Sequence, residues 1–169
     1  MKIIEALKKV KDLERRVTDL TAKIGLHSAM SSLDTEKYTD QRGQVREWLD
    51  SVRDTIAEIS RLRCAIQTTN LAVKVEIELA GNQVSKSIAA WIHRRRDLAK
   101  LECASWAALT DRRIQEGQGK TPTGEPILIT IKRFYDPAER DKRVEALTQE
   151  VSLIDARLEI VNAVTDLVE

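Results

Sequence analysis

The chain is poor in aromatic side chains, in cysteine and histidine, in proline and glycine, and in net charge. Aromatics make up 4% of its 169 residues while charged residues make up 33%, a balance of long solvated helices rather than of a sheet sandwich. Lysine and arginine number 28 against 27 aspartates and glutamates. The basic excess that marks most nucleic-acid binders is missing, which argues against nucleic acid as a partner. No apolar run approaches the roughly 20 residues needed to span a bilayer. The opening Met1-Lys2-Ile3-Ile4-Glu5 has no apolar signal core before its first acid. A cytoplasmic protein is expected, or a virion component if the chain is virus-encoded. Cys64 and Cys103 lie far apart, and neither His27 nor His93 stands three or four positions from a cysteine. Two reduced, helix-borne thiols are the reading, with no metal and no cofactor.

What the chain has is a hydrophobic repeat at three- and four-residue spacing. It runs through Ile3, Ala6, Val10, Leu13, Val17, Leu20 and Ile24 at one end. At the other it runs through Val144, Leu147, Val151, Ile154, Leu158, Val161, Thr165 and Val168. Such spacing lays a narrow apolar stripe along a helix, and a stripe needs a partner to cover it. The helix breakers fall between the periodic segments and delimit four helices. These span about 2–29, 44–70, from 82 or 85 to 116, and 137–166. Val45, Trp48, Val52, Ile59, Leu62 and Ile66 carry the second stripe; Ile88, Trp91, Ile92, Leu98, Leu101, Trp106 and Leu109 carry the third. The fourth helix has a clear start, with Asp136 as cap, Pro137 at the first helical position and Glu139 three residues after the cap.

Two short segments change period. Val73, Val75, Ile77 and Leu79 alternate with Ala72, Lys74, Glu76 and Glu78, and Ile127, Ile129 and Ile131 alternate less cleanly. Strands are expected near 72–80 and 126–134. In an up-and-down bundle they would lie a helix length apart, so Val73, Val75, Ile77, Ile127, Ile129 and Ile131 are expected to pair either as one ribbon or with a second copy by strand addition. The expected fold is therefore mainly α: an antiparallel, coiled-coil-like four-helix bundle in a single domain with a short two-stranded β-ribbon.

No constellation reads as an active site, and no catalytic residue is assigned. Gly117-Gln118-Gly119-Lys120-Thr121 echoes a phosphate loop, but Ile114 stands where that motif needs glycine. A flexible loop is expected instead. His93-Arg94-Arg95-Arg96 points all round a helix axis, so Arg94, Arg95 and Arg96 are expected in an ion-pair face with Asp97, Glu102 and Asp155, the last in a buried pair with a base such as Arg95. Thr69, Asn70, Asn162, Thr165 and Asp166 fall late in the second and fourth helices and are expected to form a polar network that fixes register or meets another subunit. Trp48, Trp91 and Trp106 are core or interface residues.

The stretches Met1-Lys2-Ile3-Ile4-Glu5-Ala6-Leu7, Ile66-Gln67-Thr68-Thr69-Asn70, Ser87-Ile88-Ala89 and Arg94-Arg95-Arg96-Asp97, with Asp155 and the end Asn162-Ala163-Val164-Thr165-Asp166-Leu167-Val168-Glu169, resemble the septicolysin-like family of small helical bacterial proteins. The resemblance spans nearly the whole chain through short motifs. Ala163 stands where the family usually has an aromatic. The family label implies a pore-forming toxin, and the two strands are the segments that could supply a membrane-active ribbon, with Lys74, Glu76 and Glu78 toward its lumen. From the residues, the expectation is a non-enzymatic structural or interaction protein that self-associates, as a homo-oligomer or with other proteins of a larger assembly. A membrane-active protein and a weak nucleic-acid binder using Arg94–Arg96 are the alternatives.

Overall fold

A computed structural model of the chain describes residues Met1–Val168. The protein is mainly helical. Its elements follow the order α1 (Ile3–His27), α2 (Gln41–Ala72), β1 (Lys74–Leu79), β2 (Asn82–Ser87), α3 (Ile88–His93), a π-helical turn (Arg94–Leu98), α4 (Ala99–Ala107), β3 (Gly117–Lys120), β4 (Pro126–Ile129) and α5 (Pro137–Val164). These fall into two compact units. The first holds Met1–Lys74, Ser87–Ala89 and the described residues from Leu158 onward, and the second holds Val75–Lys86 and Ala90–Arg157. Among the described residues no helix is long and apolar enough to cross a membrane.

The first unit is built on an α1–α2 hairpin. Its helices are about 38 and 48 Å long at 1.5 Å per residue. Their stripes meet along Val10, Ile59 and Leu62, with Leu13, Val17 and Ile66 packed against that cluster. Lys9 pairs with Glu58 at 2.8 Å on one flank, and Arg63 pairs with Glu14 on the other. At the tip His27, Tyr38 and Trp48 form a triangle with centroids 5.5–5.7 Å apart. There Gln41 donates to the His27 carbonyl, which α1 leaves unpaired, at 2.9 Å. Asp40 caps α2 through the Gly43 N–H at 2.7 Å. A side chain at Gly43 would collide with that carboxylate, which is why this first-turn position carries glycine.

The second unit differs from the expected pattern in three ways. First, the two segments form two separate hairpins, in place of one shared ribbon or of pairing with a second copy. β1 pairs with β2, and β3 pairs antiparallel with β4 in the register Gly117↔Ile129, Gln118↔Leu128, Gly119↔Ile127, Lys120↔Pro126. Val75 and Ile77 thus pair with β2 and are buried, and Ile127 and Ile129 pair with β3; Val73 caps α2, and Ile131 lies outside β4. The reason is local. Ala80 and Gly81 both have positive φ, 49° and 81°, the two-residue turn that matches strand twist and folds Asn82–Ser87 back on β1. The third helix therefore begins at Ile88 rather than at 82 or 85. Second, Gly117–Lys120 is a strand rather than a flexible loop. Gly119 lets the Ile129 side chain lie where a Cβ would sit.

Third, helix continues only to Ala107, and a π turn interrupts it, with the Ala99 N–H reaching back to the Arg94 carbonyl. The extra residue in that turn shifts the helical phase. Ala99 takes the buried position, and Leu98 and Leu101, expected in the stripe, are exposed. The fourth stripe holds better. Asp136 caps α5 through the Ala138 N–H at 2.9 Å, and Leu147, Ile154, Leu158 and Val161 are buried. Val168 is exposed.

Candidate functional site

The most enclosed charge lies in the second unit, where the π turn brings Arg94 against α5. The guanidinium forks onto Glu150, Nε to Oε1 at 2.6 Å and Nη2 to Oε2 at 2.9 Å. Nη1 reaches Glu102 at 2.6 Å. Glu150 is only 6% exposed. A buried carboxylate is tolerated when its lone pairs are met by a fixed charged donor, and the planar fork of arginine supplies that. The hydrogen bond with Glu150 holds the Arg94 pKa above its ordinary value against the opposing effect of burial, so this guanidinium stays charged at any ordinary pH. The trio edges a cavity of about 240 Å3 whose walls include Leu79, Asn82 and Val84 of the first hairpin and Arg143 and Gln149 of α5. Arg143 lies over the Trp106 ring at 5.7 Å. With each Glu150 oxygen held by Arg94 and Arg94 locked in its charged form, the trio works as a polar clamp between the π turn and α5.

The arginine run does fan around its axis, each member to its own partner. Arg95 pairs with Asp155 at 2.7 Å, and Arg96 reaches Asp97 at 3.2 Å. Asp155 thus has the partner expected of it, but both side chains of that pair are exposed. The buried acid is Glu150 instead. It was legible in principle, standing three residues after Leu147 and four before Ile154, inside the apolar stripe.

In the first unit the two chain ends form a clasp. Ile3 N–H donates to the Thr165 carbonyl at 2.9 Å, and Leu167 N–H donates to the Met1 carbonyl at 2.8 Å. Lys2 Nζ donates to the Val164 carbonyl at 2.8 Å and to Asp166 at 2.6 Å. That bond from Lys2 holds the Asp166 carboxyl below its usual range. Thr69, fully buried, donates to the Ala65 carbonyl at 2.8 Å and accepts from the Val168 N–H at 2.9 Å. The expected polar network therefore gathers Thr69, Thr165 and Asp166, with the backbone of Thr165 and not its hydroxyl taking part. Asn162 makes none of these bonds, and Asn70 keeps a buried Oδ1 without a partner. Lys2 and the backbone of Met1 and Ile3 are the members that no sequence pattern announces.

A third cluster closes the loops around the second hairpin. Arg133 forks onto Asp111, Nε to Oδ1 at 2.8 Å and Nη2 to Oδ2 at 2.7 Å, and Tyr135 OH donates to Oδ1 at 2.9 Å. These bonds, Arg133 first, lower the Asp111 pKa. Arg140 donates to the Leu109 carbonyl at 2.9 Å and lies over the Tyr135 ring at 5.7 Å. A cavity of about 270 Å3 opens here, lined by Leu109, Ile114, Ile131 and Phe134 with Arg112 and Lys132 at its edge. Among the described residues no three His, Cys, Asp or Glu side chains gather as a metal would require. Compared with known proteins, the chain matches no family model, no curated protein and no solved structure.

Proposed function

We propose that this chain is a non-enzymatic structural protein that self-associates, its long helices completing a coiled-coil-type four-helix bundle with those of other copies in a larger assembly. The observation that carries this reading is a second apolar seam on α2. The first seam, Trp48, Val52, Thr55, Ile59, Leu62, Ile66 and Thr69, alternates spacings of four and three, and its Trp48, Ile59, Leu62 and Ile66 pack against α1. Beside it Leu49 and Ile56 stand seven residues apart and are half exposed. In heptad terms they hold the flanking position that a simple two-helix pairing fills with charge. An apolar residue there widens the face for a further helix.

Mass photometry and light scattering at micromolar concentration test this. A homo-oligomer that Leu49→Glu with Ile56→Glu converts to a folded monomer supports the reading. A strict monomer for the unaltered chain, with no partner in a pull-down, overturns it. Dye leakage from liposomes by the unaltered chain would favour the membrane activity that the septicolysin-like resemblance implies.

A further inference from the structure

The chain's single phenylalanine lies on its surface. Trp91 is 0% exposed and the two other tryptophans and both tyrosines are at least partly buried, whereas Phe134 is 88% exposed. Leaving a ring of that size in water forgoes most of the burial it could contribute, so its position calls for a partner. Its surroundings say which kind. Lys132 places its ammonium 5.5 Å from the ring centroid, and the same cavity edge carries Arg112. Arg113 follows in the chain. Arg112 and Arg113 both hold a left-handed backbone, φ 51° and 60°, a conformation that costs a non-glycine residue on the order of 1 kcal/mol or more. Among the described residues none of these three cations has a carboxylate within ion-pair distance, while the neighbouring Arg133 is taken by Asp111. The balanced charge of the whole chain therefore hides a local excess of cations without a carboxylate partner, one of which, Lys132, lies over the exposed Phe134 ring.

We propose that this loop surface of the second unit docks single-stranded nucleic acid, a base stacking on Phe134 beside the cavity and the flanking phosphates meeting Arg112, Arg113 and Lys132. Stacking on an exposed ring combined with cationic tracking of the backbone is the way single strands are held without sequence preference. A base can also reach the apolar cavity wall of Ile114 and Ile131. An acidic peptide would answer the cations and leave the ring without a stacking partner. This surface is separate from the arginine run at Arg94–Arg96, where Arg94, Arg95 and Arg96 each have a carboxylate partner.

Fluorescence anisotropy with a labelled oligothymidine of about 20 nucleotides, longer than one site of this kind, tests the proposal on the full chain. Binding is expected at low salt, weakening as salt rises. Phe134→Ala should lower affinity about 5- to 150-fold, the range one stacked base supplies, and Phe134→Trp should retain it. Replacing Arg112, Arg113 and Lys132 with glutamine should reduce the salt slope by about 0.7 for each phosphate that no longer meets a cation. Circular dichroism should report an unchanged helix content in every variant. Absence of binding at low salt overturns the proposal. So does an affinity that is indifferent to Phe134→Ala, or equal binding of duplex DNA or polyglutamate. Preferential binding to anionic liposomes would assign the surface to a membrane instead and overturn it as well. Either result is independent of the oligomeric state, so it leaves the self-association reading to its own test.

Discussion

Two arginines in the second unit fork onto a carboxylate with nearly the same geometry, and their surroundings make them different devices. Arg94 and Glu150 sit in the packed body of the unit, with Glu102 as a third partner, and the acid is almost closed off from water. Arg133 and Asp111 sit in loops, each about a third exposed and helped by the Tyr135 hydroxyl. Coulomb attraction and the desolvation it must offset both scale with the loss of water. The buried fork is therefore a point where removing one partner strands a charge. The loop fork is an organiser of local shape whose removal lets water take over.

The largest expected effect is at the buried fork. Arg94→Ala should destabilise the protein by about 3–5 kcal/mol, because Glu150 is left charged and unpaired. Urea unfolding of the single variant and of Arg94→Met combined with Glu150→Leu measures this. The double change should recover most of the loss, and a double variant as unstable as the single would show that shape rather than charge is at stake. Glu150→Gln comes next. It keeps the volume and one acceptor, and should cost about 1–3 kcal/mol.

At the loop fork, Asp111→Asn should leave the midpoint of global unfolding almost unmoved. Its effect belongs in faster amide exchange at Ile114 and Ile131, whose N–H groups are held by the Asp111 carbonyl and by Glu116. A global loss as large as that of Arg94→Ala would erase the contrast.

Acid acts on the loop fork through its carboxylate. The Asp111 pKa is lowered in the folded state, so its contribution is present above the ordinary carboxylate range and disappears as pH falls through the lowered value. Arg94 and Arg133 are both held above the ordinary guanidinium value by their carboxylate partners and keep their charge throughout that window. Glu58 of the first unit behaves as Asp111 does. Its bonds from Arg61 and then Lys9 bring its pKa to about 2, so its share is lost between the ordinary glutamate range and about pH 2. Thermal melts between pH 6 and 2 should show a smaller acid loss for Glu58→Gln than for the unaltered chain. Equal losses would remove Glu58 from the account. The smallest effect is expected for Arg133→Lys, which keeps a charge but not the fork; its melting point should match the parent while the loop amides exchange faster.

How much of this was legible varied with the range of the interactions involved. The stripes of α1, α2 and α5 and the Asp136–Pro137 start were readable because each depends on residues within one or two helical turns. The β1 segment was readable from its period of two. Its partner β2, Asn82-Gln83-Val84-Ser85-Lys86-Ser87, has no alternation of its own, and only the turn at Ala80-Gly81 pointed to it. The π turn escaped because a single-residue phase slip leaves a helical pattern that still scans. Lys2 escaped because nothing in a first-turn lysine tells that the other end of the chain will lie beside it.

By itself the sequence determined that this is a mainly helical protein, where its three longest helices run, and which stripe of each is apolar. Backbone hydrogen bonding and side-chain periodicity are decided between near neighbours. The tertiary structure alone decided that Glu150 rather than Asp155 is the buried acid, that each strand has its own hairpin partner, and that Thr69 closes on Val168. The residues of the buried fork are 56 positions apart and those of the Thr69 bond 99. Whether a charge can leave water, or a lone hydroxyl can be enclosed, depends on what distant segment arrives to meet it, and that is set by packing.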